Sequence, residues 1–178
     1  HYRPSRIEVA RRDLASLEII RAVTVEAAHK PDSDGRLRLT FKVDERPEHT
    51  AGVTGAYSTD LGGRAKLTWT HRNLFGNAER LELSGAGTGL GGTATNALGY
   101  DFTAKLTKPD FLRRDQSLQT TAEALQQDLD AYSQRAYATG LSVRRKLTDH
   151  WAASLGLSGI QERIRQEGET RDYTLVGV

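Results

Sequence analysis

From residue 50 onward, apolar side chains recur at every second position. Val53, Gly55 and Tyr57 share one face, followed by Ala65, Leu67 and Trp69, by Leu81 and Leu83, and by Leu98, Tyr100, Phe102, Ala104 and Leu106. The intervening positions are small, hydroxylated or charged: Thr54, Ala56 and Ser58; Arg64, Lys66 and Thr68; Arg80, Glu82 and Ser84; Gly99, Asp101, Thr103 and Lys105. The pattern continues through Leu118 to Ala124, Tyr137 to Val143 and Trp151 to Leu157, and an eighth segment opens at Tyr173. Strict alternation of this kind predicts strands with one apolar and one polar face. The segments predict a mainly β, antiparallel architecture.

The first part of the chain reads differently. Ser5-Arg-Ile-Glu8 has the spacing of a capping box, and Ile7, Ala10, Leu14 and Leu17 follow at helical spacing opposite Arg11, Arg12 and Glu18. Val23 to Ala27 predicts a strand, Pro31-Asp-Ser-Asp-Gly35 a turn, and Leu37, Leu39, Phe41 and Val43 a second strand with one buried face. Helix, strand, turn and strand form the end of a small α+β module. Asp44-Glu-Arg-Pro47 closes it, because proline cannot extend a central ladder. The expected domains are therefore 1–47 and 48–178.

Alternation fits a soluble sandwich as well as a membrane barrel, whose strands present every second residue to lipid over about 9–11 residues. Hydrophobic residues make up 37% of the chain and mean hydropathy is −0.57. No run reaches the ~18 apolar residues of a helical span, but low hydropathy does not argue against a barrel. Turn lengths are mixed: 60–63 and 146–150 read as short, whereas 85–96, 126–134 and 161–171 read as long, hydrophilic or glycine-rich loops. The net charge of +2 is interspersed, which gives no basic stripe for nucleic acid.

The candidate chemistry is sparse. Gly87-Thr-Gly89-Leu-Gly-Gly92 satisfies a dinucleotide fingerprint, but a strand follows where a helix is needed, so a flexible loop is expected instead. The five histidines show no metal-ligand spacing, and His71 beside Arg72 reads as a polar girdle residue. Asp32-Ser-Asp34-Gly35 is too short for a calcium loop, and Asp128-Leu-Asp130 reads as an ordinary loop. No nucleophile–base or paired-carboxylate set assembles, so neither an enzyme nor a cofactor is expected. Trp69, Phe75 and Trp151 fit either an interfacial aromatic belt or plain packing.

Trp69-x-x-Arg72-Asn73-Leu74-Phe75-Gly76 followed by Leu81-x-Leu83 resembles the start of the barrel in the BamA/TamA superfamily of outer-membrane assembly and translocation proteins, most like its TamA branch. Four further motifs resemble the same superfamily in the same order: Asp44-Glu-Arg-Pro47, Tyr57-Ser-Thr-Asp60, Lys108-Pro109-Asp-Phe111 and Tyr173-Thr-Leu-Val-Gly177. The resemblance implies that residues 1–47 end a POTRA domain in the periplasm, whose first strand and helix lie outside this chain. Residues 48–178 would then be the first half of a sixteen-stranded outer-membrane β-barrel.

It also implies a function and its sites. The first barrel strand, with Gly52, Val53, Thr54, Gly55, Ala56 and Tyr57, would be the lateral seam that templates unfolded outer-membrane or autotransporter clients in contact with outer-membrane lipid. Trp69, Arg72, Asn73, Leu74, Phe75, Gly76, Pro109 and Phe111 would be structural, and the partner an elongated periplasmic TamB-like protein. Gly52 and Gly55 would either weaken the seam or relieve crowding there. Other functions consistent with the residues are a two-partner-type polypeptide transporter, a passive small pore and a soluble ligand-binding β domain.

Overall fold

The computed structural model describes residues 4–178 except 16, 18, 29, 31, 33, 34, 149 and 167. Chain contacts divide it at Glu48/His49 into two compact units. The first holds α1 (Pro4–Ala15), β1 (Ile20–Ala27) and β2 (Leu39–Glu45). The strands pair antiparallel, with Val23 opposite Val43 and Val25 opposite Phe41. Ile20 and Val23 are buried, whereas Phe41 and Val43 keep more than a third of their surface exposed, so the expected buried face is only partly covered.

Local chemistry departs from the sequence expectation at the helix start. The helix begins at Pro4, where a missing N–H is harmless. Ser5 is therefore inside the helix rather than capping it. Glu8 instead accepts two hydrogen bonds from Arg11, one turn on, at 2.6 and 3.0 Å. In the β1–β2 connection Asp32 Oδ1 accepts from the Arg36 amide at 2.9 Å, which is a turn contact. Ser33, Asp34 and Pro31 of that expected turn, and Glu18 and His29, lie outside the described residues.

The second unit is an eight-stranded antiparallel sheet of consecutive neighbours. Its strands are β3 (His49–Ser58), β4 (Gly62–Arg72), β5 (Arg80–Leu90), β6 (Thr95–Lys108), β7 (Gln116–Leu129), β8 (Ser133–Lys146), β9 (Ala152–Gln166) and β10 (Glu169–Gly177). Apart from register shifts at Gly63/Ala65 and between Thr95 and Tyr100, the register carries each face across the sheet. Val53, Leu67, Gly85, Phe102, Ala124 and Tyr137 form one apolar row, and Lys66, Ala86 and Asp101 belong to the polar face. The apolar set is the more accessible one: Val53, Leu67, Leu155 and Trp151 are exposed, while Ala138, Gly140 and Ser142 are half-buried. A water-soluble sandwich would show the reverse, so this face requires an apolar solvent.

The polar face is held by ion pairs. Arg64 meets Asp101 at 2.8 Å, and Glu82 is shared by Arg80 and by Lys105 at 3.5 Å. On the apolar face a Cβ at Gly85 would stand 2.8 Å from the Phe102 ring, so the ring covers the glycine. At the β9–β10 edge the parity changes use: Ile160, Tyr173 and Leu175 fall on the side of Ser154 and Ser158.

The expected loop lengths are overturned. Residues 126–129, 133–134, 161–166 and 169–171 of the hydrophilic stretches are paired strand, with Asp128 opposite Ser133 and Asp172 opposite Arg163. Side chains bind across them as well, Arg163 to Asp172 at 2.6 Å and Arg135 to Gln126 at 3.1 Å. Strands β7 and β8 run 14 residues each, against the ~9–11 that a bilayer needs. Their polar ends are hydrated ladder extending past the apolar zone, and polarity there was mistaken for loop. Asp128 accordingly lies within β7 rather than in a loop.

The glycine-rich stretch is in part strand, residues 87–90 belonging to β5, and the connection after it is hydrogen-bonded to its neighbours. Thr93 and Ala94 amides donate to the Thr59 and Asp60 carbonyls at 3.1 and 3.0 Å, and Asp130 N donates to Ala94 O at 3.1 Å, tying three successive turns together. Gly62 and Gly92 interlock, since a Cβ on either would stand 2.5 Å from the other's backbone nitrogen. Gly92→Ala therefore forces backbone apart and should destabilise the sheet by about 1–3 kcal/mol. Gly87→Ala, which meets open space, should stay within about 0.5 kcal/mol of wild type. The check is the temperature at which the folded, fast-migrating band disappears in detergent gels.

Candidate functional site

The six inner strands of the described sheet have two neighbours, and the terminal strands β3 and β10 have one each. Strand β3 carries the residues singled out from sequence. Ala51, Val53, Gly55 and Tyr57 occupy the apolar face, with Val53 78% and Tyr57 71% exposed, and Gly52, Thr54 and Ala56 occupy the other. The two glycines differ. A Cβ at Gly52 would lie 2.8 Å from Thr68 Oγ1, which donates to Gly52 O, so crowding accounts for that glycine. At Gly55 the nearest atom would be 4.0 Å away, and crowding does not account for it.

Both ends of β3 are fastened. At its N-terminal end Arg72 Nη1 donates to Thr50 Oγ1 at 2.7 Å. His49, Trp69 and His71 form a ring cluster there, with His49 and His71 stacked at 4.3 Å between centroids. At its C-terminal end sits the three-turn clamp anchored on Thr59 and Asp60. The least supported part of the strand is its middle, around Gly55.

The motif residues after Trp69 build the β4–β5 turn. Asn73 adopts φ 66° and Gly76 φ 90°, a region where Asn and Gly are the favoured residues. Asn73 Oδ1 accepts from the Ala78 amide at 2.9 Å, and Leu74 N donates to Glu79 O at 3.1 Å. Phe75 stands at the tip, 68% exposed. Pro109 and Phe111 belong to the β6–β7 turn, which repeats the same bonding. Asp110 Oδ1 accepts from the Asp115 amide at 3.0 Å, and Phe111 N donates to Gln116 O at 2.8 Å. Trp151 is exposed beside the β8–β9 turn, where its amide donates to Thr148 Oγ1.

Sequence reasoning missed Glu79, which is 1% exposed. Its Oε2 accepts from the Asn77 amide at 3.0 Å, and Lys108 Nζ stands 3.7 Å from Oε1, which has no hydrogen-bond partner. Burial alone would raise its pKa. The Glu79 and Asn77 amides, the Asn77 side chain and the Lys108 ammonium outweigh that and hold it below the ordinary 4.5. Nothing in a polar Asn-Ala-Glu triplet signals this burial, because Lys108 arrives from a strand further along the chain.

Because the folded pKa is depressed, the ionised Glu79 stabilises the turn fully above pH 4.5, and that stability is lost as pH falls through the folded value. Glu79→Gln should flatten this acid dependence, read as unfolding midpoint against pH. Glu79→Ala should cost about 1.5–3 kcal/mol at neutral pH, the range for hydrogen bonds to a charged group.

Comparison with known proteins accords with this geometry. Residues 37–177 match the Omp85 superfamily domain. A stretch of 80 residues, 45% of this chain, is 36% identical to the outer membrane protein assembly factor BamA of Neorickettsia risticii, spanning 11% of that protein. The crystal structure of Haemophilus ducreyi BamA lacking POTRA domains 1–3 superposes over 91% of this chain and 30% of its own, with a TM-score of 0.64 at 17% identity, a likeness of fold. The sheet is thus part of a bacterial outer-membrane β-barrel, and the soluble-domain reading falls. The match over residues 37–177, most of the chain's length, places this chain in the Omp85 superfamily.

Proposed function

We propose that this chain contributes the templating seam of an outer-membrane protein assembly factor. The observation that carries the proposal is the make-up of β3, whose side-chain and turn contacts lie at its two ends and whose middle holds Gly55, where no steric reason for a glycine exists. An unpaired strand edge offers a row of backbone donors and acceptors to an incoming strand, and β-augmentation uses that row without chemical catalysis or a cofactor. The clients this edge suits are unfolded outer-membrane β-strands, which arrive with the same unpaired backbone groups. Insertion beside outer-membrane lipid then satisfies both edges at once.

In this proposal residues 1–47 are the end of a POTRA domain in the periplasm, as the helix–strand–strand order supports. The TamB-like partner rests on the sequence resemblance to the TamA branch, whereas both relatives described above are BamA proteins.

A photo-reactive residue placed at Val53 or Thr54 should form adducts with nascent outer-membrane proteins, while the same residue at Thr121 in the sheet interior should not. Absence of adducts at the edge, or equal yield at Thr121, would leave a passive pore. Gly55→Val, for which there is room, should tighten the strand by about 1 kcal/mol and slow client assembly roughly fivefold without loss of the folded barrel.

A further inference from the structure

The ring cluster at the start of β3 contains two metal-ligating side chains whose separation in sequence hides their proximity. His49 and His71 are direct cross-strand partners in the antiparallel register and project on the same face. Directly opposed residues in such a pair have Cβ atoms about 4.5–5.5 Å apart. Their rings stack at 4.3 Å with 27° between planes, and their ligand nitrogens lie within 4.8 Å of each other. Two imidazole nitrogens on one tetrahedral zinc, each bonded at about 2.0–2.1 Å, stand about 3.3 Å apart. Rotation of the rings about their side-chain torsions covers that difference without moving the backbone.

We infer that His49 and His71 form a two-histidine site for a late first-row divalent cation, zinc or copper, with water completing the coordination. Imidazole suits these metals, whereas calcium and magnesium demand oxygen donors. His49 is exposed and His71 half-buried, so the pair is open to a hydrated ion. The bound ion would bridge β3 to β4 at the foot of the open-edged strand, adding coordinate bonds to the Arg72–Thr50 hydrogen bond already there. The site itself stands independently of the templating role, and the binding test is separate from any assay of client assembly.

The test is calorimetric titration of Zn²⁺ into the full-length protein in detergent micelles. One site should be weakened by about tenfold or more in both His49→Ala and His71→Ala, since loss of even an outer-shell partner costs that much. His150→Ala, in the β8–β9 turn, should leave the site intact. Wild-type protein provides a second measurement that needs no variant: Zn²⁺ should protect both His49 and His71 from diethyl pyrocarbonate, read by peptide mass spectrometry. Zinc binding unchanged in the two variants, no binding by wild type, or equal modification of both histidines with and without zinc would each overturn the inference.

Discussion

In a bilayer core no water is available to pair with backbone N–H and C=O groups, so each strand must find its partners in its neighbours. That constraint organises the sheet. Six of its strands are paired on both sides, and β3 and β10 on one. A fixed register through the middle of the sheet is its second consequence, since a slip by one residue would turn Val53, Leu67 and Phe102 inward and carry Lys66 and Asp101 into lipid. The third is the inverted exposure, with leucines outside and ion pairs such as Arg64–Asp101 within.

In the proposed templating role β3 would have to open, and a strand that opens cannot be made uniformly weak, or it would fray from its ends. The arrangement along β3 avoids this. Cross-strand pairs of the kind seen at His49, Trp69 and His71 contribute roughly 0.2–1 kcal/mol each. Net hydrogen bonds such as those from Thr93 and Ala94 to the turn after β3 contribute about 0.5–1.5 kcal/mol, and a glycine in a strand subtracts about 0.5–1 kcal/mol. Added along the strand, these magnitudes place the stabilising contacts at the two ends and the deficit between them. In that role, opening would begin at the backbone groups around Gly55 while the contacts at the two ends hold the register.

Much of this was legible in sequence. Eight strands, and the face of most residues in the segments read as strands, follow from period-two alternation, and the superfamily from five motifs in order, of which Trp69–Gly76 is one. The errors have a common cause: polarity marks contact with water, not absence of pairing. The stretches 126–134 and 161–171 looked like loops because they are hydrophilic, yet Arg163 and Asp172 are ladder partners. The Gly87–Gly92 stretch looked flexible because glycine is permissive, yet Gly92 is needed for the close approach of Gly62. His49–His71 and Glu79–Lys108 were invisible for a different reason, since only the register brings residues that far apart together.

The turns complete the account, because register has to be set somewhere. Turns 73–79 and 110–116 use the same device: an Asn or Asp at positive φ whose Oδ1 accepts the amide five residues on, and a backbone bond from the next residue to the carbonyl six residues after the first. Both start positions tolerate the left-handed region only because their short polar side chains bond locally. A turn closed twice has a fixed length, and a fixed length sets which residue of the returning strand faces Leu81 or Leu118. The buried carboxylate of Glu79 tightens the first of these turns beside the open-edged hairpin. The Trp69–Gly76 stretch is thus, physically, a register lock for the strand on which β3 leans.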